Sequence, residues 1–323
     1  MAITVKEIAS YLNYGRALQL SDGKYEIIAT LDVGPRIMHM SLCGKHNVLE
    51  DQAPLEEALP DGSIYRILGG HRVWHSPEAY PRSYMRDDKP IARYELFDDG
   101  IRLYQETEEW TQIEKSIEAR FTPNGIRIIN YLTNHGAWEI EMAVWSLSVG
   151  SRGGREIIPV VQRNAGLQTN TGYRSWGYSR MDDYRARWGQ RYIVVDNNAE
   201  DTSAFKFGFL NEIGWMAYFN HGQCFVKQFG FTKGAKYPDQ GCNFETYTSS
   251  WGVELETLSP FYKVKPGKTI QHEELWNVVE APVVPERDED HIAEVMQPIA
   301  DALGLTLPVA DGVAWDPTFE EED

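Results

Sequence analysis

The sequence has few cysteines, few basic residues and no long apolar run. Its 323 residues include three cysteines, Cys43, Cys224 and Cys242, at wide spacing and without a CxxC pair. This argues against both a disulfide framework and a structural zinc site. No stretch approaches the ~20 apolar residues of a membrane helix, and residues 1–7 lack the basic and apolar regions of a signal peptide. We therefore expect a cytoplasmic protein without a membrane partner.

Basic residues are outnumbered by acidic ones. There are 31 Lys and Arg residues against 48 Asp and Glu residues, a formal net charge of −17, and no run is rich in Lys or Arg. A polyanion would be repelled at long range, which excludes nucleic acid as the main partner. Part of the excess lies in residues 319–323, Phe-Glu-Glu-Glu-Asp, which we expect to be a solvated tail.

Short segments with period-two alternation are the dominant pattern, and Gly, Pro, Asn and Asp separate them. They predict strands at 24–30, 36–42, 100–105, 125–132, 204–210, 223–229 and 269–276. Helical periodicity is limited to 5–12 and 288–303, where Pro298 should kink or split the second helix. Many strands without alternating helices predict an all-β antiparallel sandwich or barrel. We expect one domain over 1–323, with a β core at 25–277 and a C-terminal decoration at 278–323.

Two carboxylates share one face of a predicted strand near the end of this core. In residues 253–257, Val-Glu-Leu-Glu-Thr, alternation places Glu254 and Glu256 together, roughly 7 Å apart. Burial or a neighbouring carboxylate would raise the pKa of one of them and suit it to acid or base catalysis. Spacing alone leaves open an exposed strand face with two solvated carboxylates.

A second cluster begins after Gly69 and Gly70, which permit close approach of the backbone to a ligand. His71, Arg72, Trp74 and His75 follow, a polar density that a core does not explain; a surface loop is the alternative. The two histidines stand at i, i+4, a zinc-like spacing on a helix, but the glycines and Pro77 disfavour a helix here. We expect no metal site and no cofactor.

The end of the core resembles the final strands of galactose mutarotases (aldose 1-epimerases). The residues that carry this resemblance are Leu255-Glu256-Thr257, Pro260, Pro266-Gly267, His272 and Trp276. Residues 131–135, Tyr-Leu-Thr-Asn-His, resemble a strand end of the same family, although residues 136–139 depart from its pattern. The order Gly-Gly-His-Arg at 69–72 resembles a mutarotase-like branch more than the true galactose mutarotases. The resemblance covers roughly residues 25–277.

The resemblance implies a supersandwich of large antiparallel sheets with short terminal helices and a cleft for a small carbohydrate. Glu256 falls on the family's catalytic carboxylate, and His135 falls on its general acid, with His75 or His71 as the next candidates. These side chains are then expected to line one cleft. The further substrate-binding candidates are Arg72, Arg36, Trp74, Trp145 and Glu245.

The implied reaction is the interconversion of sugar anomers by acid–base ring opening, which needs one acid, one base and no cofactor. A glycoside hydrolase or polysaccharide lyase is an alternative on the same fold, with paired carboxylates such as Glu245 and Glu256. A sugar sensor without catalysis is a third reading, because a fold does not fix a function. Whether the chain forms a homo-oligomer is left open.

Overall fold

The computed structural model describes residues 2–52, 55–85, 87–164 and 166–309, and antiparallel strands dominate them. The elements are β1 Thr4–Ile8, β2 Ala17–Ser21, β3 Tyr25–Thr30, β4 Arg36–Leu42, β5 Leu55–Ala58, β6 Ile64–Ile67, β7 His71–Ser76, β8 Arg93–Phe97, β9 Gly100–Tyr104, β10 Ile113–Thr122, β11 Gly125–Asn134, β12 Ile140–Gly150, β13 Arg155–Pro159, β14 Arg174–Ser175, β15 Ala186–Trp188, β16 Tyr192–Asp196, β17 Phe205–Phe209, β18 Trp215–Asn220, β19 Gln223–Phe229, α1 Pro238–Gly241, β20 Phe244–Ser249, β21 Gly252–Leu258, β22 Tyr262–Val264, β23 Thr269–Glu280 and α2 Glu289–Leu303.

The strands form two large sheets. The first follows the order β1-β2-β3-β4-β7-β12-β21-β20-β17-β14, with β22 paired to β12. The second follows the order β15-β16-β13-β18-β19-β23-β11-β10-β9-β8, and β5 and β6 make a separate hairpin. The architecture is a mutarotase-like all-β sandwich, and the predicted fold class is confirmed.

Side chains that alternate along the strands fill the space between the two sheets. Phe205 and Phe207 of β17 and Val253 and Leu255 of β21 point from the first sheet into one apolar cluster, where they meet residues of the second sheet such as Ile128. Each of these side chains is essentially inaccessible to solvent. Because successive residues of a strand point to opposite faces, the residues between them lie on the face turned away from the second sheet. That outer face carries the candidate site.

All seven predicted strand segments form strands. The predicted 36–42 and 223–229 match β4 and β19 at both ends, and the segment 269–276 extends to Glu280 in β23. The helix predicted at 5–12 is wrong, because this segment contributes β1, which pairs with β2 along the edge of the first sheet. Its β-branched residues, Thr4, Val5 and Ile8, favour that extended conformation.

The C-terminal helix is confirmed as α2. The Asp288 side chain caps its N-terminus by accepting from the backbone N–H groups of Asp290 and His291, and Gly304 ends it in the left-handed region at φ 68°. Pro298 lies inside the helix without ending it. The apolar face, with Ile292 among its buried residues, packs against the second sheet.

No helix in the described ranges is long and apolar enough to cross a membrane. The predicted acidic tail at 319–323 lies outside the described residues. The division of the chain into a core and a decoration stays a prediction.

Candidate active site

A cavity of about 380 Å³ lies on the outer face of the first sheet. Five neighbouring strands, β7, β12, β21, β20 and β17, form its floor, and loops and the end of β6 form its walls. Its lining residues are Ile67, Arg72, Trp74, Glu78, Tyr84, Trp145, Leu147, Trp176, Tyr178, Ala204, Lys206, Tyr247 and Glu254. This volume is within the range of small-molecule sites in proteins.

Strand β21 places both predicted carboxylates on this face. Glu254 lines the cavity directly. Glu256 lies one layer deeper, fully buried, and its carboxylate accepts a hydrogen bond of 2.7 Å from Nε1 of Trp145. Lys206 Nζ donates to the same carboxylate at 2.8 Å and 3.1 Å. Glu256 therefore does not line the cavity itself but contacts two side chains that do, Trp145 and Lys206.

Lys206 also contacts a second buried carboxylate. Its Nζ lies 2.8 Å from Glu245 Oε2 and 2.8 Å from Glu256 Oε2. Glu245 and Glu256 are direct cross-strand partners of β20 and β21. Space for Glu245 exists because Gly208 faces it on β17; a Cβ at Gly208 would come within 2.8 Å of Glu245 Cγ. Three ionisable groups thus meet at one buried point in the floor.

When all three groups are ionised, Lys206 carries one positive charge and Glu245 and Glu256 carry two negative charges. This imbalance affects the pKa of each group. Burial raises the pKa of Glu256 to about 7, against the opposing effect of the Lys206 ammonium. Burial also raises the pKa of Glu245 well above its ordinary value. Burial lowers the pKa of Lys206, but the two carboxylates outweigh it and raise that pKa well above its ordinary value. One ammonium cannot neutralise two buried carboxylates, so this site favours the protonated form of a carboxyl more than water does.

Aromatic rings surround the Lys206 ammonium on the cavity side. Its Nζ lies 4.7 Å from the ring centroid of Trp145 and 4.7 Å from that of Trp176. The Trp74 and Trp145 rings contact each other edge to face, with centroids 5.5 Å apart. Such surfaces suit the C–H faces of a sugar as well as a cation.

Arg72 provides the second cation of the lining. Its Nη2 donates to Glu254 Oε1 at 2.9 Å, and the guanidinium carbon lies 4.8 Å from the Trp74 ring centroid. Arg72 is 2% exposed, and its Nε and Nη1 atoms have no hydrogen-bond partner among the described residues. Arg72, Trp74 and Trp145, which we predicted as substrate-binding residues, line the same cavity as Glu254. Their role in binding stays a prediction.

The histidines predicted for the same cleft lie elsewhere. His71 and His75 belong to β7, but they occupy the face opposite to Arg72 and Trp74. His71 hydrogen-bonds to Ser148 at 2.9 Å and to Asn130 of the second sheet at 3.0 Å, and burial lowers its pKa to about 3. The parity of the strand therefore directs both histidines between the sheets.

His75 lies near Glu108 Oε2, at 3.9 Å, and lines a separate pocket of about 140 Å³. His135 lies at the end of β11 on the second sheet, with a 42% exposed side chain beside Glu114. The expectation of one cleft shared by these histidines and Glu256 is therefore wrong. No histidine is among the cavity-lining residues in the described parts of the chain.

Arg36 is also remote from the cavity lining. It is fully buried and donates to Asp87 at 2.5 Å and to the Gly69 carbonyl at 2.6 Å. These contacts fix the loop that precedes β7. Arg36 therefore has a structural role, and it does not line the cavity.

Sequence reasoning missed Lys206, Trp176, Tyr178 and Tyr247. A signal for Lys206 was present, because it interrupts the aromatic alternation Phe205-Lys206-Phe207 and so had to lie on the face opposite the phenylalanines. Trp176 and Tyr178 lie outside the strands that form the cavity floor, and no periodicity marks them. In the described residues, His, Cys, Asp and Glu side chains form no group of three that could hold a metal ion.

No protein-family model matches the chain, and no curated protein sequence matches it significantly. Solved structures do match. A "putative aldose 1-epimerase" from Klebsiella pneumoniae is similar with a TM-score of 0.55 and 14% identity, over 97% of this chain and 91% of that one. A TPR-domain containing protein from Parabacteroides distasonis has a TM-score of 0.55 and 15% identity, over 97% of this chain.

The chain spans 60% of the length of that Parabacteroides protein. A protein from Synechocystis is similar with a TM-score of 0.50 and 11% identity, over 82% of this chain and 96% of that one. At these identities the similarity shows the fold alone. The structure and these similarities therefore confirm the fold that the resemblance to galactose mutarotases implied.

Proposed function

We propose that this protein binds a small carbohydrate in the cavity and interconverts its anomers by ring opening. The observation that carries the proposal is the floor of the cavity. There a lysine ammonium and a carboxylate, Lys206 and Glu254, line one aromatic-walled space. Ring opening needs a base for the proton of the anomeric hydroxyl and an acid for the ring oxygen. The two lining groups supply this pair without histidine.

In this mechanism the Glu254 carboxylate accepts the proton of the anomeric hydroxyl while Lys206 donates a proton to the ring oxygen. The bond between C1 and the ring oxygen breaks, and C1 becomes a carbonyl. Lys206 regains a proton from the carboxyl of Glu256, which it contacts. Rotation about C1–C2 and the reverse transfers then give the other anomer. Glu256, the sequence-based candidate for the base, is thereby a positioning and proton-supplying residue.

Glu254→Gln tests the base. The amide keeps the size of the side chain and one acceptor oxygen but accepts no proton at neutral pH. We expect the rate of anomer exchange, followed by NMR exchange spectroscopy, to fall by about 10²–10⁴. The neutral amide also removes the counter-charge of the buried Arg72, so thermal unfolding is measured first to show that the variant folds. Sugar affinity by calorimetry should then change far less than the exchange rate. The matched control is Glu273→Gln, on the second sheet with a 45% exposed side chain paired to Arg127. An exchange rate within a few-fold of wild type in Glu254→Gln would contradict the assignment.

The pH dependence tests the shared proton. The pKa of Glu256 is raised to about 7, so this carboxyl is protonated below that pH and ionised above it. The enzymatic rate, after subtraction of the buffer-catalysed rate, should therefore fall as the pH rises through about 7. Glu256→Gln should lower the rate and remove this limb, since the amide does not titrate. A rate that instead falls as the pH drops below 7 would indicate that Glu256 itself is the base.

A hydrolase receives less support from this geometry. The close pair Glu245 and Glu256 is buried beneath the floor, and Lys206 lies between the two carboxylates. A retaining hydrolase would need both of these carboxyls against the glycosidic bond.

A further inference from the structure

The strand β7 side of the cavity contains three N–H groups that are buried and lack a partner among the described residues. They are Nε and Nη1 of Arg72 and Nε1 of Trp74. Both residues line the cavity, and they are 2% and 3% exposed. A buried donor without an acceptor is unfavourable, because it has lost its hydrogen bonds to water without replacement. Three such donors on adjacent side chains therefore indicate a site that is completed by acceptor atoms from a ligand.

The positive charge of Arg72 indicates which chemical class of ligand would complete this site. Its one hydrogen-bonded carboxylate in the described chain is Glu254. In the proposed reaction Glu254 takes up a proton, which would leave the buried guanidinium without a counter-charge, an expensive state. A negative group on the substrate would balance the positive charge of Arg72 throughout the reaction. Two acidic residues line the cavity as well, but Glu254 is paired with Arg72 and Glu78 accepts a hydrogen bond from Tyr84.

We propose that the substrate is an acidic sugar whose oxyanion, a carboxylate or a phosphate, is held by Arg72 and the Trp74 indole N–H. This inference rests on the proposed function for the identity of the cavity as a sugar site. Charge-assisted hydrogen bonds to a guanidinium are stronger than neutral ones and have defined geometry. Arg72 and Trp74 are thus specificity-determining residues. Lys206, held by Glu245 and Glu256, remains at the reacting end.

The test compares matched sugars that differ in one substituent. Calorimetry would measure Kd for glucose, glucuronate and glucose-6-phosphate, and for galactose and mannose with their uronates. Wild-type protein should bind at least one acidic member about tenfold or more tightly than its neutral counterpart. Comparison of glucuronate with glucose-6-phosphate shows whether the group is a carboxylate or a phosphate.

Two variants connect the preference to these residues. Arg72→Met should bring the affinity ratio close to one, whereas Trp74→Phe, which keeps an aromatic ring but loses the N–H, should reduce the ratio by a few-fold. Arg127→Met, an exposed arginine on the second sheet, is the control and should leave the ratio unchanged. If Arg72→Met does not fold, wild type and Trp74→Phe decide the question.

Equal affinity for neutral and acidic members, no binding of any acid at millimolar concentration, or an undiminished preference in Arg72→Met would overturn the inference. These outcomes are separable from failure of the proposed function. A protein that exchanges anomers of neutral sugars without preferring acids refutes only the specificity. One that binds acids through Arg72 but exchanges no anomers refutes only the catalysis.

Discussion

Lys206→Arg should fold, bind sugar and lose anomer exchange by a factor of about 10²–10⁴. The guanidinium keeps the positive charge between Glu245 and Glu256, so the buried carboxylates remain compensated. A guanidinium is not deprotonated in proteins, whereas a lysine ammonium can pass a proton to the alkoxide that forms as the sugar ring opens. The variant therefore removes proton donation but keeps the positive charge, whereas a neutral substitution would remove both.

Three measurements accompany this variant. Anomer exchange by NMR gives the rate, calorimetry gives the affinity, and thermal unfolding confirms the fold. Lys206→Met should lose the rate as well, with lower stability because two buried carboxyls lose their cation. Lys236→Met is the matched control, since that lysine is 76% exposed and pairs with Glu141 at 3.4 Å, outside the cavity lining. An exchange rate near that of wild type in Lys206→Arg would remove Lys206 from the chemistry.

Lys227→Met should lower the free energy of unfolding by about 3–5 kcal/mol. Lys227 is fully buried between the sheets, where Nζ lies 3.0 Å from Glu274 Oε1 and donates to the Leu255 carbonyl at 2.8 Å. Burial raises the pKa of Glu274, but Lys227 and neighbouring groups outweigh it and lower that pKa to about 2. Removal of the ammonium leaves a buried carboxylate without its counter-charge.

Urea unfolding at neutral pH would measure this loss, and Lys236→Met should cost less than about 1 kcal/mol because its ion pair is exposed. The double variant Lys227→Met with Glu274→Gln should recover part of the loss, since no unpaired charge remains. A loss below about 1 kcal/mol in Lys227→Met would show that the pair is not a determinant of stability.

The strands were predictable because period-two alternation is a local property of the sequence. The same parity placed Glu254 and Glu256 on one face, opposite to Val253 and Leu255, and the structure has them so. The same parity places His71 and His75 together on one face of β7. The sequence does not show which face of that strand lines the cavity. All six β7 residues are buried, so no polar–apolar alternation distinguishes the two sides.

The proton donor that we propose, Lys206, was not predictable in the same way. Lys206 comes to Glu256 through the order of strands β21, β20 and β17 in the sheet, and pairing order is not a local property. The resemblance pointed to His135 because of a short motif at a strand end. In the structure that strand end belongs to the second sheet, whereas the cavity floor belongs to the first. Sequence patterns and the resemblance thus indicated the two carboxylates of β21, Trp74 and Trp145. The order of strands in the sheet, which the sequence does not show, brings Lys206 to them.

The most direct test of the account is anomer exchange by wild-type protein, measured by NMR on a panel of aldoses, uronates and sugar phosphates. We predict that the protein accelerates exchange of at least one member above its rate in buffer, and that excess of a tightly bound competitor suppresses the acceleration. Tight binding of a panel member without any acceleration would contradict catalysis and favour a sugar sensor. New reducing ends released from a glycoside would instead favour a hydrolase.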